Sequence, residues 1–274
     1  MTDNRVQIID NRYGRRVLRW APLVLVLLIL LGGMFLQPYD AMQIGVGERL
    51  DAPSWSHLFG TDHMGRDVFS RVLDGASTTL FVALGTVLIG AVGGLLLGAS
   101  AGFFGGVLDE IVMRVSDALT AFPSVLLALV AISLTGPGMG QMLVILGVLF
   151  IPSFSRVARG EFLRCRNLDY VKRARLIGAA PLRIMLRHIL PNTLPVYFGA
   201  LAIGFNNAVL AEASMSFLGL GVQPPRISLG RMLSESQAYL FHAPWIAISA
   251  GVTIVCLIFA FSLLAEGLQE RRGR

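Results

Sequence analysis

The feature that most constrains this chain is a long stretch, residues 75–108, that carries no charged side chain. About 20 apolar residues in a helix are enough to cross the hydrocarbon core of a bilayer, so the stretch predicts a membrane-spanning helix. The composition agrees, because 54% of the 274 residues are hydrophobic and 15% are charged, against roughly a quarter charged in soluble domains. We therefore expect an integral membrane protein in which no large soluble domain fits between the apolar runs.

Six apolar runs bounded by charged or turn residues predict an all-α, polytopic fold with six transmembrane helices. They cover residues 21–37, 78–103, 107–133, 139–158, 195–220 and 244–266. The first run follows an arginine cluster and resembles a signal peptide, but no A-x-A cleavage site comes after it, so we interpret it as a retained signal anchor. The expected divisions are a tail (1–20), the first helix with an extracytoplasmic loop (21–76), the main transmembrane domain (77–270) and a second tail (271–274).

The distribution of basic residues predicts the orientation of these helices. With the N-terminus inside, 18 of the 23 lysines and arginines fall on the cytoplasmic side, as the positive-inside rule requires. The other five, which are expected outside, are Arg49, Arg66, Arg71, Arg226 and Arg231. Both termini and the basic segment between the fourth and fifth helices are therefore expected in the cytoplasm. The formal charge of +6 is explained by topology, and we expect no nucleic-acid partner.

Four glycines at intervals of four residues mark one side of the second predicted helix: Gly90, Gly94, Gly98 and Gly102. Missing side chains along one stripe allow another helix to approach closely. The stripe suits packing within this chain or contact with another subunit.

Glu212 is the one carboxylate near the middle of a predicted span. An ionisable residue there is costly and usually faces a cavity, a partner or a polar network. Three roles remain open: a structural hydrogen-bonding role, a contribution to a transport pathway, and a proton-coupling site.

Several chemistries find no support in the sequence. Lys172 is the sole lysine and does not belong to a G-x-x-x-x-G-K-[ST] phosphate loop, so we expect no ATP site in this chain. A polar cluster in the first outer loop, formed by His57, Asp62, His63 and Asp67, matches no recognised metal spacing, and no metal site is expected. The two cysteines predict no disulfide framework.

The most highly charged stretch is "DYVKRARLIGAAPLRIMLRHILPN", residues 169–192. Its periodicity predicts a short helix over 168–177, with Lys172, Arg173 and Arg175 towards water. The apolar side is expected to carry Tyr170, Val171, Ala174 and Ile177.

Gly178 is suited to the left-handed conformation that ends this helix. Pro181 suits the first turn of a second short helix, which Pro191 and Pro195 are expected to end. Two amphipathic helices of this kind are suited either to lipid headgroups or to a protein groove.

This segment resembles the "EAA" loop of bacterial ABC importer permeases, the loop that docks in a groove of the ATPase subunit. The shared pattern is Y-V-x-x-A-R-x-x-G-A followed by R-H-I-L-P-N, found here at Tyr170, Val171, Ala174, Arg175, Gly178, Ala179, Arg187, His188, Ile189, Leu190, Pro191 and Asn192. Residues 58–76, 102–129, 212–225 and 243–251 also resemble the second permease of the dipeptide, oligopeptide and nickel importers.

The resemblance implies a permease of the bacterial inner membrane that forms half of a translocation pathway for dipeptides, oligopeptides or a related small solute such as nickel. Its implied partners are a homologous second permease, two ATPase subunits that carry ATP and magnesium, and an extracytoplasmic solute-binding protein. The chain itself is expected to need no cofactor and to be no enzyme. The residues implied in coupling to the ATPase are Tyr170, Val171, Lys172, Arg173, Ala174, Arg175, Ile177, Gly178, Ala179, Ile189 and Pro191. The outer loop 38–76 and residues 221–232 are candidates for contact with the binding protein.

One departure from the family pattern changes the charge of the loop. Lys172 and Arg173 stand where the family has glutamate and its first alanine. We therefore expect acidic groups on the matching ATPase to face Lys172, Arg173 or Arg175. Two other functions remain as alternatives, a proton-coupled secondary transporter that uses Glu212 and a membrane scaffold that does not transport.

Overall fold

A computed structural model describes residues 37–272, with side chains described as far as residue 264. This part of the chain is helical and contains no β-strand beyond an isolated bridge between Thr61 and Asp67, which confirms the all-α class. The helices are α1 (Val68–Phe104), α2 (Gly106–Thr120), α3 (Ser124–Thr135), α4 (Met139–Cys165), α5 (Asp169–Leu176), α6 (Pro181–Arg183), a π-helical turn (Ile184–Ile189), α7 (Leu190–Phe217), α8 (Leu229–Ser236) and α9 (Pro244–Arg272).

Four helical stretches in the described residues are long and apolar enough to cross a membrane: 68–104, 139–165, 181–217 and 244–264. The bent pair of α2 and α3 makes a fifth if it counts as one span. The predicted first helix, 21–37, lies almost entirely outside the described residues, which begin at Gln37. The six-helix count therefore stays a prediction.

The single helix predicted over 107–133 is two helices in the structure. The chain breaks between α2 and α3, and the two helices are bent by 85°. Pro123 explains the break, because proline lacks an amide hydrogen and disfavours helical geometry in the residue before it. It precedes α3 with an extended backbone (φ −56°, ψ 124°). Apolar composition alone did not reveal this elbow, since the residues on both sides of it are suited to a membrane.

The prediction that Pro191 and Pro195 end a separate short helix is wrong. From α6 the helix runs through the π turn and α7 as far as Phe217. Within the π turn the amide of Leu190 donates to the carbonyl of Met185, five residues back. The missing amide hydrogen of Pro191 falls where the hydrogen-bond spacing is already changing, and irregular spacing of this kind accommodates a proline inside a helix.

The described residues form two compact units. One comprises the residues up to Leu80, Ser216–Leu218 and the residues from Pro224 onward, and the other comprises Phe81–Met215 with Gly219–Gln223. In the second unit, the glycine stripe of α1 packs on α4. A β-carbon at Gly90 would lie 2.8 Å from Cβ of Phe150, and one at Gly102 would lie 2.5 Å from the carbonyl oxygen of Arg159. The stripe therefore packs within the chain, as one of the two interpretations predicted.

Candidate functional site

The first helix of the basic segment (residues 169–191) ends in a left-handed turn, as its sequence predicts. Gly178 has φ +77°, a conformation that glycine adopts at little cost. Its amide donates to the carbonyl of Arg175 at 3.0 Å, and the amide of Ala179 donates to the carbonyl of Ala174 at 3.1 Å. This pair of bonds is the Schellman pattern of helix ends. The turn fixes the direction in which the chain leaves α5.

The apolar side of α5 is buried inside this chain. Val171 is fully buried and Ala174 is 5% exposed. Together with Ile189 they belong to an apolar cluster that also contains Ala99, Phe103, Phe162, Cys165, Ile184 and Met185. Tyr170 packs at the edge of this cluster, and its hydroxyl accepts a hydrogen bond from Asn192 at 3.3 Å. These residues anchor α5 on the ends of α1 and α4.

Ile177 does not share this buried side, which corrects the predicted apolar side of the helix. It is 84% exposed, and its neighbour Leu176 is 87% exposed. The periodicity placed Ile177 near Tyr170, but α5 ends at Leu176 and the chain turns away from the packing neighbours. Leu182, at the start of the next helix, is also largely exposed. We call Leu176, Ile177, Gly178 and Leu182 the apolar tip.

Basic residues flank the apolar tip in the sequence. The exposed cations are Lys172, Arg173, Arg175, Arg183 and Arg187. Lys172 lies 3.5 Å from Asp169, and the guanidinium of Arg175 lies 5.2 Å from the centre of the Phe103 ring. The other three form no ion pair with the residues that the structure describes. The segment thus presents exposed apolar side chains flanked in the sequence by exposed cations, which we call the charged rim.

The burial pattern favours one of the two binding modes that periodicity left open. A helix that lies on a bilayer inserts its apolar side between the headgroups. In α5 that side already packs inside the chain, and what remains outside is a small projecting tip. A projecting apolar tip with a charged rim matches a protein pocket better than a flat lipid surface.

A second feature of this unit is a cleft of about 610 Å³ at the α2–α3 elbow, where it meets α4 and α7. Its polar lining consists of Thr120, Ser124, Ser153, Asn207 and Ser214. Most of the remaining wall is apolar, with Phe122, Leu149, Phe154, Ile203 and Leu210 among its residues. Gly204 allows α7 to approach α4, because a β-carbon there would overlap the ring of Phe154. Sequence analysis missed these polar residues, which belong to α2, α3, α4 and α7 and converge only in the fold.

Glu212 is fully buried in α7 and does not line this cleft. The roles predicted for it stay predictions.

The polar residues of the loop before α1 form two groups, a network of ion pairs and a hydrogen-bonded histidine–aspartate pair. Asp62 accepts hydrogen bonds from Arg66 Nε at 2.7 Å and from Arg71, which in turn donates to Glu235 at 2.7 Å. Burial raises the pKa of the Asp62 carboxyl, but Arg71, the amides of Arg66 and Met64 and the charge of Arg66 together lower it further, so the pKa lies below its usual value. Sequence analysis did not predict the pairing of Arg71 with Glu235, because these residues lie far apart in the chain.

The second group joins His57 to Asp67. His57 Nδ1 lies 3.0 Å from Asp67, whose other oxygen accepts hydrogen bonds from the amide and hydroxyl of Ser70. His63 instead stacks on the ring of Tyr239. The four polar residues singled out in the sequence thus do not converge on one point, and the described residues contain no group of three His, Cys, Asp or Glu side chains placed to hold a metal.

Comparison with known proteins gives a consistent set of matches. Residues 94–274 match the family model described as "Binding-protein-dependent transport system inner membrane component". The chain is 38% identical to the "Glutathione transport system permease protein GsiD" of Pectobacterium atrosepticum, over 98% of this chain and 92% of the relative. It is also 38% identical to the protein of the same name from Escherichia coli O6:K15:H31, over 95% of this chain and 87% of the relative.

Solved structures support the fold. Two structures of inward-facing conformations of the MetNI methionine ABC transporter match 74% of this chain, with TM-scores of 0.62 and 0.63 and sequence identities of 20% and 19%. The match covers 96% and 97% of those chains. At this level of identity the likeness concerns the fold alone.

Proposed function

The chain belongs to the family of inner membrane components of binding-protein-dependent transport systems, and from this membership we propose how it works within its transporter. It is a permease subunit of an ABC importer. Such a subunit works with a partner permease, ATPase subunits and a binding protein. We propose that the basic segment, residues 169–191, docks on one of two ATPase subunits and transmits their movement to the membrane helices. A homologous second permease forms the other half of the pathway.

The observation that carries this proposal is the exposed apolar tip. Two adjacent large aliphatic side chains, Leu176 and Ile177, project into solvent from a helix whose other side is anchored. Exposed apolar groups at the centre of a charged rim are typical of protein contacts. Because the anchor residues pack on the ends of α1 and α4, a displacement of the tip is transmitted directly to these membrane helices. This supports a transmitting role for the segment.

The rest of the proposal concerns location and solute. The distribution of basic residues supports a bacterial inner-membrane protein with both termini and the basic segment in the cytoplasm, where ATPase subunits find ATP. The chain has no phosphate loop of its own, which supports ATP hydrolysis on separate subunits.

The relatives are named for glutathione transport, and glutathione is peptide-like, so we propose a short peptide or a related small solute as the cargo.

A glycine substitution tests the transmitting role. We expect Gly178→Leu to abolish ATP-dependent uptake by the complete transporter in proteoliposomes, because a bulky side chain at φ +77° strains the turn that sets the tip. The matched control is Gly140→Leu, at an exposed helical position whose β-carbon would meet nothing within 4 Å. Full uptake by an intact Gly178→Leu complex would refute docking through this turn, and uptake by the chain alone without ATP would refute the importer mechanism.

A further inference from the structure

Two polar residues of the cleft at the α2–α3 elbow lie well inside helices that are long and apolar enough to cross a membrane. Ser153 lies near the middle of α4, and Asn207 lies well inside α7. Both are exposed on the surface of the chain. Neither side chain makes a hydrogen bond with the residues that the structure describes, and the same is true of Ser124. In contact with lipid, each such group would lack the partners that water provides.

Lipid is therefore a poor environment for this cleft. An exposed serine on a membrane helix usually satisfies itself by bonding a carbonyl of its own helix, as Ser133 does with Leu129 at 2.8 Å. Asn207 has no such arrangement, and its amide offers two donors and an acceptor towards the cleft. Polar groups inside a membrane normally face a water-filled cavity or a polar partner. The convergence of three of them on one cleft indicates that water or a polar solute enters it.

The lining also limits the chemistry of that solute. No lysine, arginine, histidine, aspartate, glutamate or cysteine lines the cleft, so it offers neither a fixed charge nor a strong metal ligand. Arg156 comes near only by donating to Thr120, and it is paired with Asp117 at 2.9 Å. The volume of about 610 Å³ falls within the range of roughly 300–1,000 Å³ that holds small organic molecules.

We propose that this cleft is the part of the solute pathway that this chain contributes, with Asn207, Ser153 and Ser124 as its hydrogen-bonding groups. It takes a solute with amide and hydroxyl groups and little net side-chain charge, such as a short neutral peptide, in preference to a bare metal ion. The amide of Asn207 pairs with peptide N–H and C=O groups, while the apolar wall accepts aliphatic side chains. This inference rests on the proposed function.

Thiol labelling tests the pathway independently of transport. In a chain with Cys165→Ala and Cys256→Ala, single cysteines replace Asn207, Ser153 or the control Ser133, and the complete transporter in membranes is treated with a charged, membrane-impermeant maleimide. We expect labelling at positions 207 and 153, protection by a neutral dipeptide, and little labelling at 133. Equal labelling of all three positions, or none at 207 and 153, would overturn the proposal, since the cleft would then face lipid or the second permease.

Charge selectivity provides the second readout. We expect Asn207→Asp to shift the ratio of ATP-dependent uptake of a lysine-containing to a glutamate-containing dipeptide by about tenfold or more towards lysine, because a fixed negative charge repels an anionic solute. Ser133→Asp is the matched control and should leave the ratio unchanged. The same ratio in both variants, or faster uptake of Ni²⁺ than of any dipeptide by the parent, would count against the assignment. If the parent complex showed no ATP-dependent uptake at all while the cysteine at position 207 was still labelled by the maleimide, the result would instead contradict the proposed function.

Discussion

Single residues decide how closely the helices of the second unit approach. At Gly98 an added β-carbon would overlap the carbonyl oxygen and carbon of Ser155. A backbone group cannot rotate away as a flexible side chain can, so the two helices would have to separate. At Gly93 the nearest atom is the end of the Ile151 side chain, at 2.9 Å, which can adjust. The requirement for glycine is thus strictest where α1 contacts the backbone of α4.

We predict that Gly98→Ala destabilises the detergent-solubilised chain by about 1–3 kcal/mol, the usual cost of overpacking. Thermal unfolding followed by circular dichroism measures the effect. The control is Gly251→Ala, in α9, where an added β-carbon meets nothing within 4 Å and the better helix propensity of alanine should leave stability unchanged or slightly higher. An unchanged melting temperature for Gly98→Ala would mean that the contact with α4 is looser than the structure indicates.

The buried ion pairs of the first unit give stability that depends on pH. Burial raises the pKa of Glu235, but Arg71, Arg231 and Arg66 lower it more, so its pKa is depressed like that of Asp62. A depressed pKa means that the folded state favours the ionised carboxyl. The contribution of each carboxyl to the free energy of unfolding is therefore complete above its pKa in the unfolded chain. This contribution is lost as the pH falls through the lower pKa of the folded protein.

We predict that the parent chain loses thermal stability as pH falls below about 4, near and below the ordinary carboxyl pKa values. Asp62→Asn should lose about 3–5 kcal/mol already at neutral pH, because it removes a partner from the buried Arg71. Asp51→Asn, at an exposed carboxyl in the same loop, is the control. Melting curves across this pH range measure both effects, and equal stability of the two variants at neutral pH would contradict the role given to Asp62.

Among the helices, those that depend on local signals were the most predictable. Asp169–Leu176 and its left-handed Gly178 follow from helical spacing and one glycine, which act over a few residues. The elbow at Pro123 and the passage of a helix through Pro191 do not follow so directly. A proline permits a break, a kink or a continued helix, and the packing around it decides among these. The cleft was missed for a related reason, because Ser153 and Asn207 come together only when α4 and α7 pack.

The exposed cations of the basic segment favour a docking surface of opposite charge on the ATPase subunit. Arg173 is exposed and forms no ion pair with the described residues, so a docking partner is free to supply the acid. We predict that Arg173→Glu lowers the amount of ATPase subunit that copurifies with the permease, and that added salt weakens the parent complex. Arg114→Glu makes the same charge change at an exposed arginine that pairs with Glu110 at 2.5 Å. Equal recovery of ATPase with both variants would argue against an acidic receiving surface.

The energy source is a property of the whole transporter. This chain has no phosphate loop, but it buries the carboxylate of Glu212 inside a membrane helix. If Glu212 carried protons, its neutral form would have to alternate with its charged form in every cycle. If ATPase subunits drive transport, Glu212 need only hold its place in the fold, where it is fully buried. A glutamine has nearly the same shape and keeps much of the hydrogen-bonding capacity. The two mechanisms therefore give opposite expectations for Glu212→Gln.

We predict that Glu212→Gln retains ATP-dependent uptake within about threefold of the parent, a change of less than about 1 kcal/mol, and that a protonophore does not reduce the uptake of either protein. Proteoliposomes that contain the complete transporter, with ATP enclosed and no proton gradient, provide the measurement. The control is Gln141→Glu, which makes the reverse exchange of the same two side chains at an exposed position of α4 outside the cleft. Uncoupling in a normally assembled Glu212→Gln complex, or uptake that follows the proton gradient, would show that the buried carboxylate takes part in energy transfer.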